Sequence, residues 1–434
     1  MTITGQPGNA RQRGLGAARP LHRDTAAPPT RQRVGWIAGP HRRGALVLGD
    51  HRHSLAVARS LHGAGYRIIA GRVGERSILE RSRCVSEVWI HPPLTEPAAW
   101  QRALEAFCSR RPDVGLVFPV GAHEIELAQP LAARLPALLV AVAPAASAVC
   151  RSKRALLTLA ERAGVPTGPW EAVGSFAELL PVLERVGLPA VLKPDLQADD
   201  MLGGKAAIIC GIPDVLRLAG RNVPRECSFV LQRLAPGTRH NFYFVAHEGR
   251  LLGQAQLRIT RTDRPDGTGL AVEGRSVAPA AELLAWTSAL AGHLNYSGAG
   301  CAQFMVDERT GCACFLEINS RLGANCAAVC ACGLDLPRLF VEALLGRAVE
   351  QPAAAVGRRY AWLEGDLHGL VSCLKSGRLS GAEALAWLAR AAYAQLRAHD
   401  QITFSWRDPM PTLAILDGYR KAALERALGW LRPR

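Results

Sequence analysis

The run Phe315-Leu316-Glu317-Ile318-Asn319-Ser320-Arg321 places a carboxylate, an amide and a guanidinium at alternate positions, a pattern suited to holding a metal-bound phosphate. Residues two apart on a strand project from one face, so Glu317, Asn319 and Arg321 should line up while Leu316 and Ile318 pack on the other. The preceding run Cys301-Ala302-Gln303-Phe304-Met305-Val306 alternates too, and Asp307-Glu308-Arg309-Thr310-Gly311 forms the turn between them. A hairpin folded about Thr310 sets Gln303 opposite Glu317. Oxygen donors from Gln303, Glu317 and Asn319 suit hard Mg²⁺ (or Mn²⁺), which usually takes one or two carboxylates and completes its shell with water and substrate phosphates. Arg321 would then meet the transferred phosphoryl group. The competing reading is a solvated strand face that happens to carry three polar residues.

Lysine usage sharpens the choice. The chain has forty-seven arginines and only five lysines, so each lysine calls for a reason why arginine would not serve. Lys153 opens a helix, Lys193 ends the apolar strand Ala190-Val191-Leu192-Lys193-Pro194, and Lys205 follows the pair Gly203-Gly204. A lysine is a compact point charge on a flexible stem where arginine is a wide planar fork, and a tight phosphate pocket can demand the former. Lys375 and Lys421 read as surface residues.

In this order these residues resemble the ATP-grasp superfamily of carboxylate-amine ligases, and most of all its carbamoyl-phosphate-synthase-like group, from about Leu46 to Leu413. The resemblance implies a Rossmann-like pre-ATP-grasp domain followed by a two-subdomain ATP-grasp fold, a multidomain α/β and α+β chain. It implies that Lys153 and Lys193 hold the ATP phosphates and that a flap from Met201 to Lys205, with Gly203, Gly204 and Lys205, covers them. Backbone groups of Gln232, Arg233 and Leu234 in the hinge Val230-Leu231-Gln232-Arg233-Leu234-Ala235-Pro236-Gly237 would clamp adenine. The metal trio falls on Gln303, Glu317 and Asn319, with Lys193 and Arg321 in catalytic roles. Two positions depart from the family pattern: Ser152 stands where Asp is usual before the helix lysine, and Gln232 where the hinge usually has Glu. The trio also holds one carboxylate rather than two, which would leave the nucleotide phosphates to neutralise most of the metal charge.

The net charge of +15 is uneven. Residues 1–43 contain eight arginines and one acid, Asp24, in a Gly, Pro and Ala-rich stretch without apolar periodicity, which reads as a disordered basic arm. Such an arm could attract RNA or acidic lipid, or be a plain upstream extension; Trp36 is its one Phe, Tyr or Trp residue, so it has no series of aromatic residues interleaved with the arginines for base stacking. No window approaches the eighteen or so apolar residues of a membrane span, because Ala137 to Val149 is short and broken by Pro144. A cytoplasmic protein is expected, with no membrane and no nucleic acid as partner. The twelve cysteines do not reproduce the paired spacing of structural zinc sites, and Cys312, Cys314, Cys326, Cys330 and Cys332 read as small packing residues rather than metal or cluster ligands.

Alternating strands and helices begin at Gly44: strand Ala45-Leu48, helix Ser54-Gly63, strand Tyr66-Ala70, then strand Gly115-Val120, helix His123-Arg134 and strand Ala137-Ala143. A doubly wound domain over 44–146 follows. The loop after the first strand lacks G-x-G-x-x-G, so no nicotinamide or flavin is indicated. Open parallel sheets bind ligands beyond their strand carboxyl ends, which makes Asp50 to His53 and Gly121 to Glu124 substrate-loop candidates. The ATP-grasp domain spans 147–346, with the ATP clamp between 147–227 and 228–346, and 347–434 is a C-terminal extension. Antiparallel strands are expected at Phe229-Arg233, Asn241-Ala246 and Arg250-Leu257. The stretch Arg258 to Gly269 reads as a mobile loop whose Arg258, Arg261 and Arg264 could meet an anionic substrate. In the extension, Trp362 reads as a core residue and Asp408-Pro409 as a turn.

The resemblance implies a two-step ligation: a small carboxylate is phosphorylated by ATP, then an amine displaces phosphate, in a chain that could form a homodimer. A carboxyphosphate-forming enzyme of carbamoyl-phosphate-synthase or biotin-carboxylase type, a non-catalytic ATP-binding regulator and a basic nucleic-acid binder are the other readings. For the arm, deletion of residues 1–43 is expected to leave melting temperature and ATP binding unchanged, because the segment has no apolar face with which to dock. A loss of more than a few degrees would show that it packs on the core.

Overall fold

The run Ala45-Leu46-Val47-Leu48 is apolar on both faces, as a strand in the middle of a helix-covered parallel sheet must be, and it is fully buried as β1 (Gly44–Leu48). The computed structural model describes residues 42–196, 206–220, 228–347 and 352–430, with side chains as far as residue 421. β1 lies at the centre of a five-stranded parallel sheet with β2 (Arg67–Arg72), β3 (Val85–Ile90), β4 (Val114–Pro119) and β5 (Leu138–Leu139), in the order β3-β2-β1-β4-β5. The chain winds outward from β1 to β3 and then returns to β4 on β1's other side. The crevice between the ends of β1 and β4 is therefore the topological switch point, where such sheets bind ligands. β3 and the helix Pro97–Arg110 carry no expectation from the sequence, since the exposed alternate residues of β3 weaken its apolar signal. The helix expected over His123-Arg134 runs only Ala122–Ala128 before a 3₁₀ turn at Gln129–Leu131 that begins beside Pro130.

A four-stranded antiparallel sheet follows: β6 (Trp170–Val173), β7 (Ala190–Pro194), β8 (Ala207–Ile209) and β9 (Phe229–Arg233), in the order β6-β9-β7-β8. The third sheet contains β10 (Thr238–His247), β11 (Arg250–Thr262), β12 (Ala271–Val277), β13 (Gly298–Val306), β14 (Ala313–Asn319), β15 (Arg359–Ala361) and β16 (Asp400–Gln401). Its order is β14-β13-β10-β11-β12-β15-β16, so residues beyond 347 supply its last two strands. Phe242, Phe244, Phe304, Phe315 and Ile318 are buried on one face of this sheet. The turn Glu248-Gly249 between β10 and β11 takes positive φ at both residues, 48° and 79°, which matches the right-handed twist of the strands it joins.

Two expectations are corrected here. The stretch Arg258 to Gly269 is not one long loop: β11 continues to Thr262, and the remaining hairpin is closed by Asp263 N–H donating to Leu270 O at 2.9 Å and Leu270 N–H donating to the Asp263 carboxylate at 2.6 Å. Leu257 and Ile259 are buried in period two, and the intervening arginines are carried by carboxylates rather than by solvent. The boundary at residue 43 also shifts. Arg43 O accepts the Arg67 amide at 2.7 Å and Arg42 donates to Pro136 O, so both residues are docked on the first sheet. A cut after residue 41 respects them; the rest of the arm lies outside the described residues.

Asp408 does more than begin a turn. Its buried carboxylate accepts from Arg59 Nε at 2.9 Å, Ser82 Oγ at 2.7 Å and the Arg83 amide at 2.9 Å, joining the C-terminal segment to the first domain. Burial alone would raise this carboxyl group, but the hydrogen bonds from Ser82 and Arg83 and the Arg59 charge outweigh it and hold it below its ordinary value of 3.8. Its stabilising contribution is complete above 3.8 and is lost as pH falls through the lower folded value. Asp408→Ala is expected to destabilise the protein by about 3 kcal/mol, read as a lower urea midpoint at neutral pH, because it strands the partly buried Arg59. Asp417→Ala, which removes an exposed helix-surface pair, should leave the midpoint where it is.

Candidate active site

The antiparallel register of three strands assembles the polar row. Asn241 on β10 pairs with Gln303 on β13, and Gln303 pairs with Glu317 on β14. The next row, two residues along, is Tyr243, Cys301 and Asn319. Gln303 thus lies opposite Glu317, as the hairpin about Thr310 requires. Strict alternation fails at one place: Phe304 pairs with Phe315 while Gln303 pairs with Glu317, so Leu316 is the extra residue of a β-bulge. Leu316 consequently lines the cleft half-buried, while Ile318 is buried in the core cluster. β14 ends at Asn319, and Arg321 reaches the same cleft from the bend that follows.

That cleft, about 1010 Å³, lies between the two antiparallel sheets and is also walled by the first domain. Lys153, Lys193, Gln232, Gln303, Glu317, Asn319 and Arg321 all line it. Lys193 Nζ donates to Gln232 Oε1 at 2.9 Å. The Gln232 amide nitrogen donates to Thr167 O at 2.6 Å and Phe315 O at 3.2 Å, which ties β9 to β14 through one buried side chain. This explains glutamine at the hinge: a carboxylate there would face two carbonyl oxygens with no proton to offer. Burial lowers the Lys193 ammonium below its ordinary range and the nearby Lys153 charge adds to the effect, while Glu317 opposes it.

Ser152 likewise has a local reason. As N-cap of the helix Lys153–Arg162 its Oγ accepts the Ala155 amide at 3.1 Å and donates to Asp195 Oδ1 at 3.0 Å. Asp195, at the end of β7, also accepts the Arg154 amide at 2.8 Å, so the carboxylate at this helix start comes from a different segment. The segments carrying Lys153 and Lys193 are thereby fastened together, since the Lys153 amide donates to Asp195 O at 3.0 Å.

Two of the backbone groups expected to clamp adenine are already engaged. Arg233 N–H donates to Pro169 O at 2.8 Å and Leu234 N–H to Pro189 O at 2.9 Å, so neither amide faces the cleft as a donor. Val191, Ile208, Leu234, Met305 and Leu316 give the cleft apolar lining, and of these only Leu234 carries a nucleotide-contact expectation from the sequence. Gly203, Gly204 and Lys205 lie outside the described residues.

Of the three loop arginines, Arg258 is corrected outright: it is ion-paired with Glu308, away from the cleft. Arg261 lines the cleft but is committed to Asp366 at 2.6 Å and Glu273 at 2.8 Å. Only Arg264 lines it without such an ion pair among the described residues. Cys326 and Cys332 are buried, and Cys314 donates to Thr167 O at 3.0 Å beside the Gln232 amide.

Gln303, Glu317 and Asn319 fit a hard divalent cation by their chemistry, all three being oxygen donors. Asn319 Nδ2 donates to Glu317 Oε1 at 2.9 Å, which leaves the Asn319 carbonyl oxygen as its coordinating atom. Among the described residues no cluster of three or more His, Cys, Asp or Glu occurs, so this mixed amide and carboxylate set is the one to weigh.

A model of the carbamoyl-phosphate synthase L chain ATP-binding domain matches residues 279–350, the segment that includes Gln303, Glu317, Asn319 and Arg321. Among solved structures, biotin carboxylase from Campylobacter jejuni superposes with a TM-score of 0.59 at 14% identity, covering 73% of this chain and 74% of that one. The fold is that of the ATP-grasp superfamily. N5-carboxyaminoimidazole ribonucleotide synthetase from Thermus thermophilus gives a TM-score of 0.55 at 19% identity, covering 73% of this chain and 81% of that one. The biotin carboxylase domain dimer of Hydrogenobacter thermophilus 2-oxoglutarate carboxylase, in complex with MgADP and bicarbonate, gives 0.55 at 17%, covering 73% of each chain. No curated protein matches the sequence. Among the described residues no helix is long and apolar enough to cross a membrane.

The link between β9 and β14 thus depends on an uncharged amide. Gln232→Glu is expected to lower stability by about 1–3 kcal/mol, the cost of leaving the Thr167 and Phe315 carbonyls without donors. Denaturant unfolding at neutral pH measures it, with partial recovery expected on acidification as the new carboxyl group gains a proton.

Proposed function

We propose that the protein is an ATP-dependent carboxylate-amine ligase. A substrate carboxylate oxygen attacks the γ-phosphorus of ATP, the bond from that phosphorus to the β,γ-bridging oxygen breaks, and an acyl phosphate and ADP form. The amine nitrogen then adds to the acyl carbon, and phosphate leaves with the bonding pair. The observation that carries this reading is the convergence of Lys153, Lys193 and Arg321 with the Gln303, Glu317 and Asn319 set in one cleft. Phosphoryl transfer needs positioning and charge cancellation rather than a side-chain nucleophile, and the cleft is furnished for that.

Lys193, oriented by Gln232, and Lys153 would bear the nucleotide phosphates, with Lys205, Gly203 and Gly204 closing over them. The apolar lining that includes Leu234 would take the base. Gln303, Glu317 and Asn319 would hold Mg²⁺ or Mn²⁺, which when bound neutralises charge on the phosphates. Arg321, beyond the end of β14, would stabilise negative charge on the phosphoryl group in flight. A cytoplasmic enzyme is the setting such ATP consumption implies, and a homodimer of this chain is part of the proposal, since the H. thermophilus domain is a dimer in its own structure.

A second reading, in which bicarbonate is the carboxylate and carboxyphosphate the product of the first step, is favoured by the bicarbonate present in that same H. thermophilus structure. ADP release stimulated by bicarbonate alone, and not by small organic acids, would select it.

In carboxylate-dependent ADP formation followed across a Mg²⁺ titration, Arg321→Ala is expected to reduce turnover about 10²- to 10³-fold with little change in ATP affinity, as loss of one transition-state donor does. Glu317→Gln should weaken both turnover and ATP affinity, with part of the loss recovered at higher Mg²⁺, because it removes the trio's negative charge. Normal turnover in Arg321→Ala, together with metal-independent behaviour in Glu317→Gln, would show that the proposed site is wrong.

A further inference from the structure

Two of the arginines that line this cleft have a carboxylate, Arg261 with Asp366 and Glu273 and Arg151 with Glu126. Arg52 and Arg321 are among those that do not. Among the described residues neither has a carboxylate within ion-pair distance, although both line the cleft. Arg52 is the first residue of the helix Arg52–Gly63, directly after β1, and so sits at the switch point of the first domain. Its immediate neighbours in the two loops there are already engaged: Asp50 accepts the Ile78 and Leu79 amides, and His51 lies 3.5 Å from Glu124.

The guanidinium of Arg52 is held from the opposite side. Nε donates to Ala324 O at 3.1 Å, just beyond β14, and the group lies 3.7 Å from the ring centroid of Trp362, which follows β15. A cation over an indole face is attracted by the ring quadrupole, so Trp362 fixes the plane of the group without neutralising it. Gly365 makes room for that ring, since a Cβ there would strike it. Nη1 of Arg52 is shut off from water with no acceptor among the described residues. Burial, with Arg321 adding to it, pulls Arg52 down to about 10 against the opposing pull of Tyr243, Tyr360 and Asp263, so it remains cationic at neutral pH.

We propose that Arg52 and Arg321 form an oxyanion subsite that receives the carboxylate of the small acid to be activated, with Arg52 as its binding and positioning residue. The proposal rests on the ligase reading for its substrate. A guanidinium with no counter-ion and with one buried nitrogen lacking an acceptor is costly, and a carboxylate supplies both in one charge-assisted contact. It also gives the first domain a task in the reaction: the switch-point arginine holds the acid while the antiparallel sheets hold the nucleotide.

The test uses the full chain without nucleotide, titrated with sodium acetate against sodium chloride at constant ionic strength, and melting temperature as the readout. Acetate is expected to stabilise the wild type, with Arg52→Lys responding weakly and Arg52→Ala not at all. Calorimetric ATP affinity should be the same in all three. Once a substrate acid is in hand, Arg52→Ala should raise its KM by about 10- to 100-fold, the loss of one charge-assisted hydrogen bond, with a smaller effect on kcat. Should Arg52→Ala fail to fold, Arg52→Gln takes its place, because its amide can still donate to Ala324 O. No acetate response in the wild type, or an undiminished one in Arg52→Ala, overturns the subsite. ATP binding that survives such a result leaves the ligase reading standing. An acetate response abolished by Arg52→Ala in a protein that binds no ATP would keep the subsite and sink the ligase reading instead.

Discussion

The row Asn241, Gln303, Glu317 across β10, β13 and β14 is the constraint on which the rest of the site depends. In an antiparallel sheet a slip of one residue sends every side chain to the opposite face. Here the opposite face carries Phe242, Phe304 and Ile318, which are buried, so a slipped register would expose aromatic surface and bury amides and a carboxylate together. The hydrophobic core therefore enforces the alignment of the polar row. The bulge at Leu316 is the one local exception, and it turns an apolar side chain toward the cleft where a flat apolar group can use it.

A second layer of constraint holds the two antiparallel sheets at a fixed opening. Gln232 reaches from β9 to the Phe315 carbonyl on β14 while its oxygen holds Lys193, so one buried amide couples the spacing of the sheets to the aim of a cleft lysine. Asp195 acts similarly at the other wall by capping the helix that begins with Lys153. Both devices place a neutral residue, Ser152 or Gln232, where the resemblance leads one to expect an acid, and in both the surrounding carbonyls or a carboxylate from another segment make the neutral residue the better fit.

The C-terminal segment belongs to the same machinery. β15 and β16 extend the large sheet, Asp408 fastens the segment to the first domain, and Trp362 lies under Arg52. Removing it would leave an open sheet edge at β12 and an unsupported guanidinium at the switch point. Among the arginines of the cleft, Arg151 and Arg261 are paired with carboxylates, so what distinguishes Arg52 is its surroundings rather than its residue type.

Period-two alternation, the scarcity of lysine and the spacing of Gln303, Glu317, Asn319 and Arg321 were legible in the linear chain, because strand faces and turn positions are local consequences of backbone geometry. The parallel first domain, the strands around the hinge and the Gln303 to Glu317 pairing follow from those local rules. The bulge at Leu316 did not, since a bulge depends on the partner strand and leaves no mark in alternation. Which arginines are spent was equally hidden: Arg258 and Arg261 look as available as Arg264 until Glu308, Asp366 and Glu273 arrive from distant segments. Arg52, Gln232 and Asp195 acquire their roles in the same way, through partners 272, 39 and 41 residues away in the chain. Local propensity decides which face a side chain takes. Only tertiary packing decides what that side chain meets, because a charge or an amide is defined by its long-range partners.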